Sequence, residues 1–133
     1  MQWTAGEHAG FTTGKPWLPV SRSHEEDNVQ TQLGDPGSML NLYRRLLSFR
    51  RNSSALRLGS YLSHPSSTDR ALVFRREADR ETVTIALNIS DDGVEVPLRS
   101  GVVALSTVDE QRSEPVKELL RLAPCEGVIV THT

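Results

Sequence analysis

ETVTIALNIS, residues Glu81 to Ser90, alternates with a period of two. Val83, Ile85, Leu87 and Ile89 fall on one face, and Thr82, Thr84, Ala86 and Asn88 on the other. Successive side chains of a strand point to opposite sides, so this is the pattern of a half-buried strand. Just before it, ALVFRRE (71–77) reads as a second strand in which Leu72 and Phe74 alternate as core, with EADRE (77–81) as a polar hairpin turn. Further short strands are predicted at Ser60–Ser63, Val94–Leu98, Val102–Val108, Leu119–Leu122 and Gly127–His132. Asp91-Asp92-Gly93 and Arg99-Ser100-Gly101 supply turns between them. Many short strands separated by such turns predict a mainly β chain folded as an antiparallel β-sandwich, over residues 55–133.

Toward the N-terminus the period changes to that of a helix. DPGSMLNLYRRLLSFRR (35–51) places Met39, Tyr43, Leu46 and Leu47 at helical spacing, widened by Leu42 and Phe49. Asp35 reads as the cap and Pro36 as the first helical residue, where its missing N–H costs nothing. Arg50 and Arg51 lie where cations complement the helix dipole. One amphipathic helix over 35–51 is therefore expected. Before it, residues 1–34 are punctuated by Gly6, Gly10, Gly14, Pro16 and Pro19 and read as a long irregular loop. A single helical turn is expected at 28–32, capped by Asn28. Trp3, Phe11 and Trp17 all lie in this loop, which raises the question of what they pack against.

Composition narrows the function classes. A chain of 133 residues can bury one modest core. With a formal net charge of −2 and a pI near 6.1, there is no electrostatic case for nucleic acid or an acidic membrane. No apolar run reaches the roughly 20 residues needed to span a bilayer, and no basic start followed by an apolar stretch suggests a signal peptide. The lone Cys125 excludes an internal disulfide and fits a reducing compartment, so a cytoplasmic location is expected. No internal repeat is visible.

Individual candidates mostly resolve to structural readings. His8, His24, His64 and His132 are scattered without metal-ligand spacing, so neither a metal nor another cofactor is expected. Glu25-Glu26-Asp27 is a solvated acidic run, since nothing nearby would drive its pKa values apart. No G-x-S-x-G elbow is present. Asn88-Ile89-Ser90 matches a glycosylation sequon but lies inside a predicted strand, which favours a structural role. Cys125, after a proline in an apolar context, is expected to be a buried inert thiol. No catalytic residue is assigned.

The order of the words adds a family likeness. MQW, then AGFTTGKPWLPV, NVQTQ and DPGSMLNLYRRLLSFRR, resembles the end of the catalytic barrel in α-glucosidases of the α-amylase superfamily (glycoside hydrolase family 13, oligo-1,6-glucosidase and maltase branch). ALRLGSY, VFRRE, VTIALNIS, VVALST and LAPCEGVIV resemble the small β-sandwich that follows that barrel. Two positions depart: Thr4 stands where the family usually has Asp, and Cys125 where many members have Tyr.

The resemblance implies that residues 1–54 are the end of a (β/α)8 barrel, with loop 1–34 and last helix 35–51, and that 55–133 are the C-terminal domain. It implies a retaining glycosidase built on an Asp nucleophile, a Glu acid/base and a further Asp, with two of the carboxyl groups about 5–5.5 Å apart. All three lie upstream in the family, and none has a counterpart here. The implied partners are the catalytic barrel, normally in the same chain, and, through it, α-glucoside sugars. Gln2, Trp3 and Phe11 are the substrate-loop candidates, because loops after barrel strands line the active-site mouth; Thr4 weakens that link. Filling the barrel–loop interface is the competing role. On this reading the chain is not catalytic alone. Two alternatives stand beside it. One is a free-standing carbohydrate-binding or interaction module, disfavoured because Tyr61 and Phe74 are the only aromatics in the β region. The other is a subunit that completes a separate barrel in trans.

Overall fold

The computed structural model describes residues 2–78 and 80–132. Contacts divide the chain into two units, Met1–Arg45 and Leu46–Thr133, with the division inside the longest helix.

The first unit holds two 3-10 turns, Glu7–Gly10 and Arg22–Glu25, then helix α1 (Val29–Gly34) and the first half of α2 (Met39–Asn52). Asn28 caps α1, its Oδ1 accepting from Thr31 N at 2.9 Å while its Nδ2 donates to His24 O. That cap was expected; the start of α2 differs. The helix begins at Met39 rather than Pro36, because Asp35 spends its acceptors on a turn, receiving Gly37 N on Oδ1 and Ser38 N on its carbonyl. Ser38 Oγ then takes the capping role toward Asn41 N.

After α2, the short helix α3 (Ser54–Leu58) was not anticipated. Ser53 caps it, and the Glu81 carboxylate reinforces that end by accepting from Ser54 Oγ at 2.6 Å and Ala55 N at 2.9 Å. Burial works to raise the Glu81 pKa, but bonds from Ser53, Ser54 and Ala55 outweigh it and hold the carboxyl below its usual range.

Among the described residues eight strands follow: β1 (Ser60–Ser63), β2 (Ala71–Ala78), β3 (Glu81–Asn88), β4 (Val94–Pro97), β5 (Gly101–Ser106), β6 (Pro115–Val116), β7 (Leu119–Leu122) and β8 (Gly127–His132). All pairings are antiparallel, in a six-stranded sheet ordered β1-β2-β3-β8-β5-β6 and a two-stranded sheet β4-β7. Val73, Ala86, Val103, Val128 and Val130 from the large sheet meet Val96, Leu120 and Leu122 from the small one, and Leu98 just after β4, in one core. The antiparallel, mainly β architecture agrees with expectation, although β6 had no signal of its own. The centre of the expected EADRE turn, Asp79, lies outside the described residues.

The core face of β2 and β3 is the opposite of the one the apolar alternation suggested. Leu72 is 42% exposed and Phe74 half-buried, while Ala71 and Val73 enter the core. On β3 the core takes Ala86 and two satisfied polar residues, Thr84 and Asn88. Thr84 Oγ1 lies 2.7 Å from His132 Nε2, and Asn88 Nδ2 donates to Asp92 O and Ala123 O. These bonds remove the usual penalty for burying polar groups and give the sequon asparagine a structural role. The bulkier row Val83–Ile85–Leu87 lies on the outer face, where α3 packs against β2 and β3 and Val83 is fully buried.

Cys125 is also corrected. It is exposed and sits in the turn before β8 with φ 54°, a left-handed conformation. The chain must reverse here between β7 and β8, so the residue is in the turn instead of a strand. Its neighbour Glu126 is the deeply buried one, 2% exposed. Glu126 Oε1 accepts from Ser106 Oγ and Arg112 Nη1, both at 2.6 Å, and Oε2 from Ala123 N at 2.8 Å. Burial works to raise its pKa, but these donors prevail and hold it low.

Candidate functional site

Gln2-Trp3-Thr4 is held by backbone bonds to two other segments. Trp3 N and Thr4 N donate to Ala9 O, at 2.9 and 3.3 Å; Val29 N and Gln30 N donate to Gln2 O and Trp3 O. The first pair requires the chain to double back within five residues. It does so through three consecutive left-handed residues, His8 (φ 57°), Ala9 (φ 52°) and Gly10 (φ 75°). Two of these are not glycine, and such strain persists only where the surrounding structure enforces it. Ala9 is fully buried. A Cβ on Gly10 would crowd Trp3 Cβ at 3.1 Å, and the positive φ already favours glycine there.

Beside this hairpin lies an open groove of about 530 Å³. It is lined by Gln2, Phe11, Thr12 and the run Pro16–Ser21. Trp17 is 91% exposed, and Phe11 and Leu18 are more than half exposed. Gln2 Nε2 donates to Ser23 Oγ at 3.2 Å, which fixes the amide at the rim. No lining residue carries an ionisable group, so the groove can bind by apolar contact and aromatic stacking but supplies no acid or base.

The structure thus brings Gln2 and Phe11 to one groove. Trp3, the third candidate, does not line it and is 55% exposed. Residues Pro16–Ser21 were missed as a group, since a Pro/Gly-rich run has no periodicity to place its side chains. Gly10 was the one local signal of the left-handed turn. The acidic run Glu25–Asp27 is exposed, and no cluster of three metal-ligating side chains occurs among the described residues.

A second, shallower cavity of about 460 Å³ lies by β4 and β7, where Glu95, Arg112, Arg121 and Glu126 meet. Its charges are already paired: Arg112 bridges Glu114 and Glu126, and Arg121 Nε reaches Glu95 at 2.9 Å. This is a structural network.

Comparison with known proteins assigns both parts of the chain. The model of the α-amylase catalytic domain matches residues 1–59, and that of a domain of unknown function, DUF3459, matches residues 66–129. The oligo-1,6-glucosidase of Parageobacillus thermoglucosidasius is 30% identical over 96% of this chain and 24% of its own length. That of Halalkalibacterium halodurans is 32% identical over the same shares. Among solved structures, trehalulose synthase MutB from Pseudomonas mesoacidophila MX-45 superposes with a TM-score of 0.82 at 30% identity, covering 98% of this chain and 24% of that one. The chain therefore spans about a quarter of the length of the relatives it matches. It belongs to the α-amylase superfamily, glycoside hydrolase family 13, and corresponds to the end of that family's catalytic domain together with the domain that follows.

Proposed function

We propose that this chain is the C-terminal support of a retaining α-glucosidase acting on α-glucosidic oligosaccharides, and that it has no hydrolytic activity by itself. Residues 1–54 would complete a (β/α)8 barrel and 55–133 would form the domain that braces it. One observation carries the reading. The N-terminal turns and helices are held by caps and backbone hydrogen bonds, yet their largest apolar side chains stand exposed. Phe11, Trp17 and Leu18 at the groove, and Met39, Tyr43 and Leu47 along one stripe of α2, are all more than half exposed. A chain rarely leaves so much apolar surface in water unless another surface covers it. The outer face of the barrel strands, with the neighbouring barrel helices and loops, is the cover that the family implies. Gln2 and Phe11 would then lie near the barrel mouth, with Phe11 able to stack on a sugar ring. The exposed thiol of Cys125 fits a reducing, cytoplasmic setting.

The test is complementation. The purified chain should not turn over p-nitrophenyl-α-glucoside. The Parageobacillus oligo-1,6-glucosidase lacking its matching quarter should regain turnover when fused to this chain. Release of p-nitrophenol by the chain alone would overturn the proposal, as would a folded but inactive fusion.

A further inference from the structure

One end of the sandwich gathers four basic side chains, Arg75, Arg99, His64 and His132. Arg75 on β2 lies on the core face, paired in register with Thr84 on β3. Thr84 Oγ1 contacts His132 Nε2, and His132 Nδ1 donates to Ser100 O at 2.8 Å. This ties β8 to the turn that carries Arg99. From the other side, Ser66 Oγ donates to Pro97 O at 2.7 Å and draws the loop that carries His64 against the same turn.

Three donors have no acceptor there among the described residues. Arg75 Nε is buried and has no acceptor, although Arg75 Nη1 lies 3.5 Å from Glu77. His64 Nδ1 accepts from Ser66 N, which puts the proton of a neutral ring on Nε2, and no acceptor meets that nitrogen among the described residues. Arg99 is exposed and makes no ion pair among the described residues. A buried guanidinium N–H without a partner calls for an explanation, and an unseen ion is a standard one. His132 cannot serve as a donor to a ligand, because both its nitrogens are engaged within the fold.

We propose that this end of the sandwich binds a small phosphate-type oxyanion through Arg75, Arg99 and His64. A phosphate offers several acceptors and up to two charges, matching two guanidiniums and one imidazole N–H better than a carboxylate does. Both imidazoles are held below their usual pKa, by burial first and then by the positive charge of Arg75 and Arg99. A bound anion would relieve the second cause and let His64 take up a proton.

Nuclear magnetic resonance of the imidazole and guanidinium signals of the whole 133-residue chain tests this, with inorganic phosphate titrated at constant ionic strength. The expected result is a saturable shift of the His64 and Arg75 Nε signals, with the His64 pKa raised. Arg99→Gln lies on an exposed turn and should fold normally, yet weaken phosphate at least about tenfold, the usual effect of losing one charged hydrogen bond. Arg99→Lys should retain part of the affinity. A non-saturable response would overturn the proposal. So would equal affinity in wild type and Arg99→Gln, and acetate binding as tightly as phosphate would refute the phosphate assignment.

Discussion

The two units are held together by different physics. In Leu46–Thr133 the buried residues are mostly Val, Leu and Ala from two facing sheets. In Met1–Arg45 the buried residues among those described are Ala9, Asn28 and Ser38, and no large apolar side chain among them is fully buried. The β unit is organised by a core, and the N-terminal unit by caps, turns and a strained reversal. A hydrophobic core stabilises in proportion to the area it hides, whereas a hydrogen bond contributes only about 1 kcal/mol net. The β unit should therefore carry most of the measured stability.

The sharpest way to break that contrast is inside the β unit, at the buried ion pair of Arg112 and Glu126. Arg112→Met would leave the Glu126 carboxylate, 1% exposed at its side chain, without its counter-charge. Removing one partner of a buried pair costs about 3–5 kcal/mol, and urea unfolding should show it. Leu120→Ala probes the apolar core at a residue 1% exposed, and a loss of about 3 kcal/mol is expected from the same measurement. If either variant unfolded at the wild-type midpoint, the β unit would not be core-organised.

Alternation at Glu81–Ser90 made the strand legible but could not tell which of its faces the second sheet would cover. A six-stranded sheet with α3 on its outer side buries residues on both faces, so the bulkier row need not be the sandwich core. Thr84 and Asn88 could be placed inside only once their partners His132, Asp92 and Ala123 were known, and those lie up to 48 residues away. Glu126 was hidden for the same reason: an isolated acid beside a glycine looks exposed until Ser106, Ala123 and Arg112 converge on it. The helix start slipped by three residues because Asp35 and Ser38 both suit a cap and only geometry chooses between them. At the groove, aromatic content marked Phe11 and Trp17 as notable. Which of them share a surface depended on left-handed backbone at His8 and Ala9, and neither residue type advertises it.

Gly10→Ala moves the contrast into the N-terminal unit. A side chain there must adopt a left-handed φ of 75° and crowd Trp3, at about 1–2 kcal/mol. Both tryptophans lie in this unit, so their fluorescence should change while the β unit's circular dichroism transition stays in place.

A smaller effect is expected from pH. His64 and His132 have folded pKa values below the ordinary 6.5, so the unfolded chain binds protons that the folded chain refuses. Their contribution is complete above 6.5 and declines as pH falls from 6.5 through the folded values. Both rings are partly open to solvent, so the slope should be gentle. Glu81 and Glu126 are shifted below 4.5, and their contribution is lost only as pH falls past that value. Unfolding free energy should therefore fall in two stages on acidification, and His64→Gln should flatten the first.

Trp17→Ala should have the least effect of all, and for that reason it tests the contrast most directly. Deleting a buried tryptophan costs about 3–5 kcal/mol because its contacts vanish and a cavity remains. Trp17 is 91% exposed, so almost no contact is lost and no cavity forms. Exposed substitutions without special partners stay within about 0.5 kcal/mol, and this one should too in the isolated chain. Binding of a hydrophobic dye at the groove should drop at the same time, since the largest apolar surface there has gone. In the fusion that restores a barrel, the same substitution should cost stability on the scale of a buried aromatic. A loss of more than 2 kcal/mol already in the isolated chain would mean that Trp17 has cover within this fold, and the N-terminal unit would then have a core of its own.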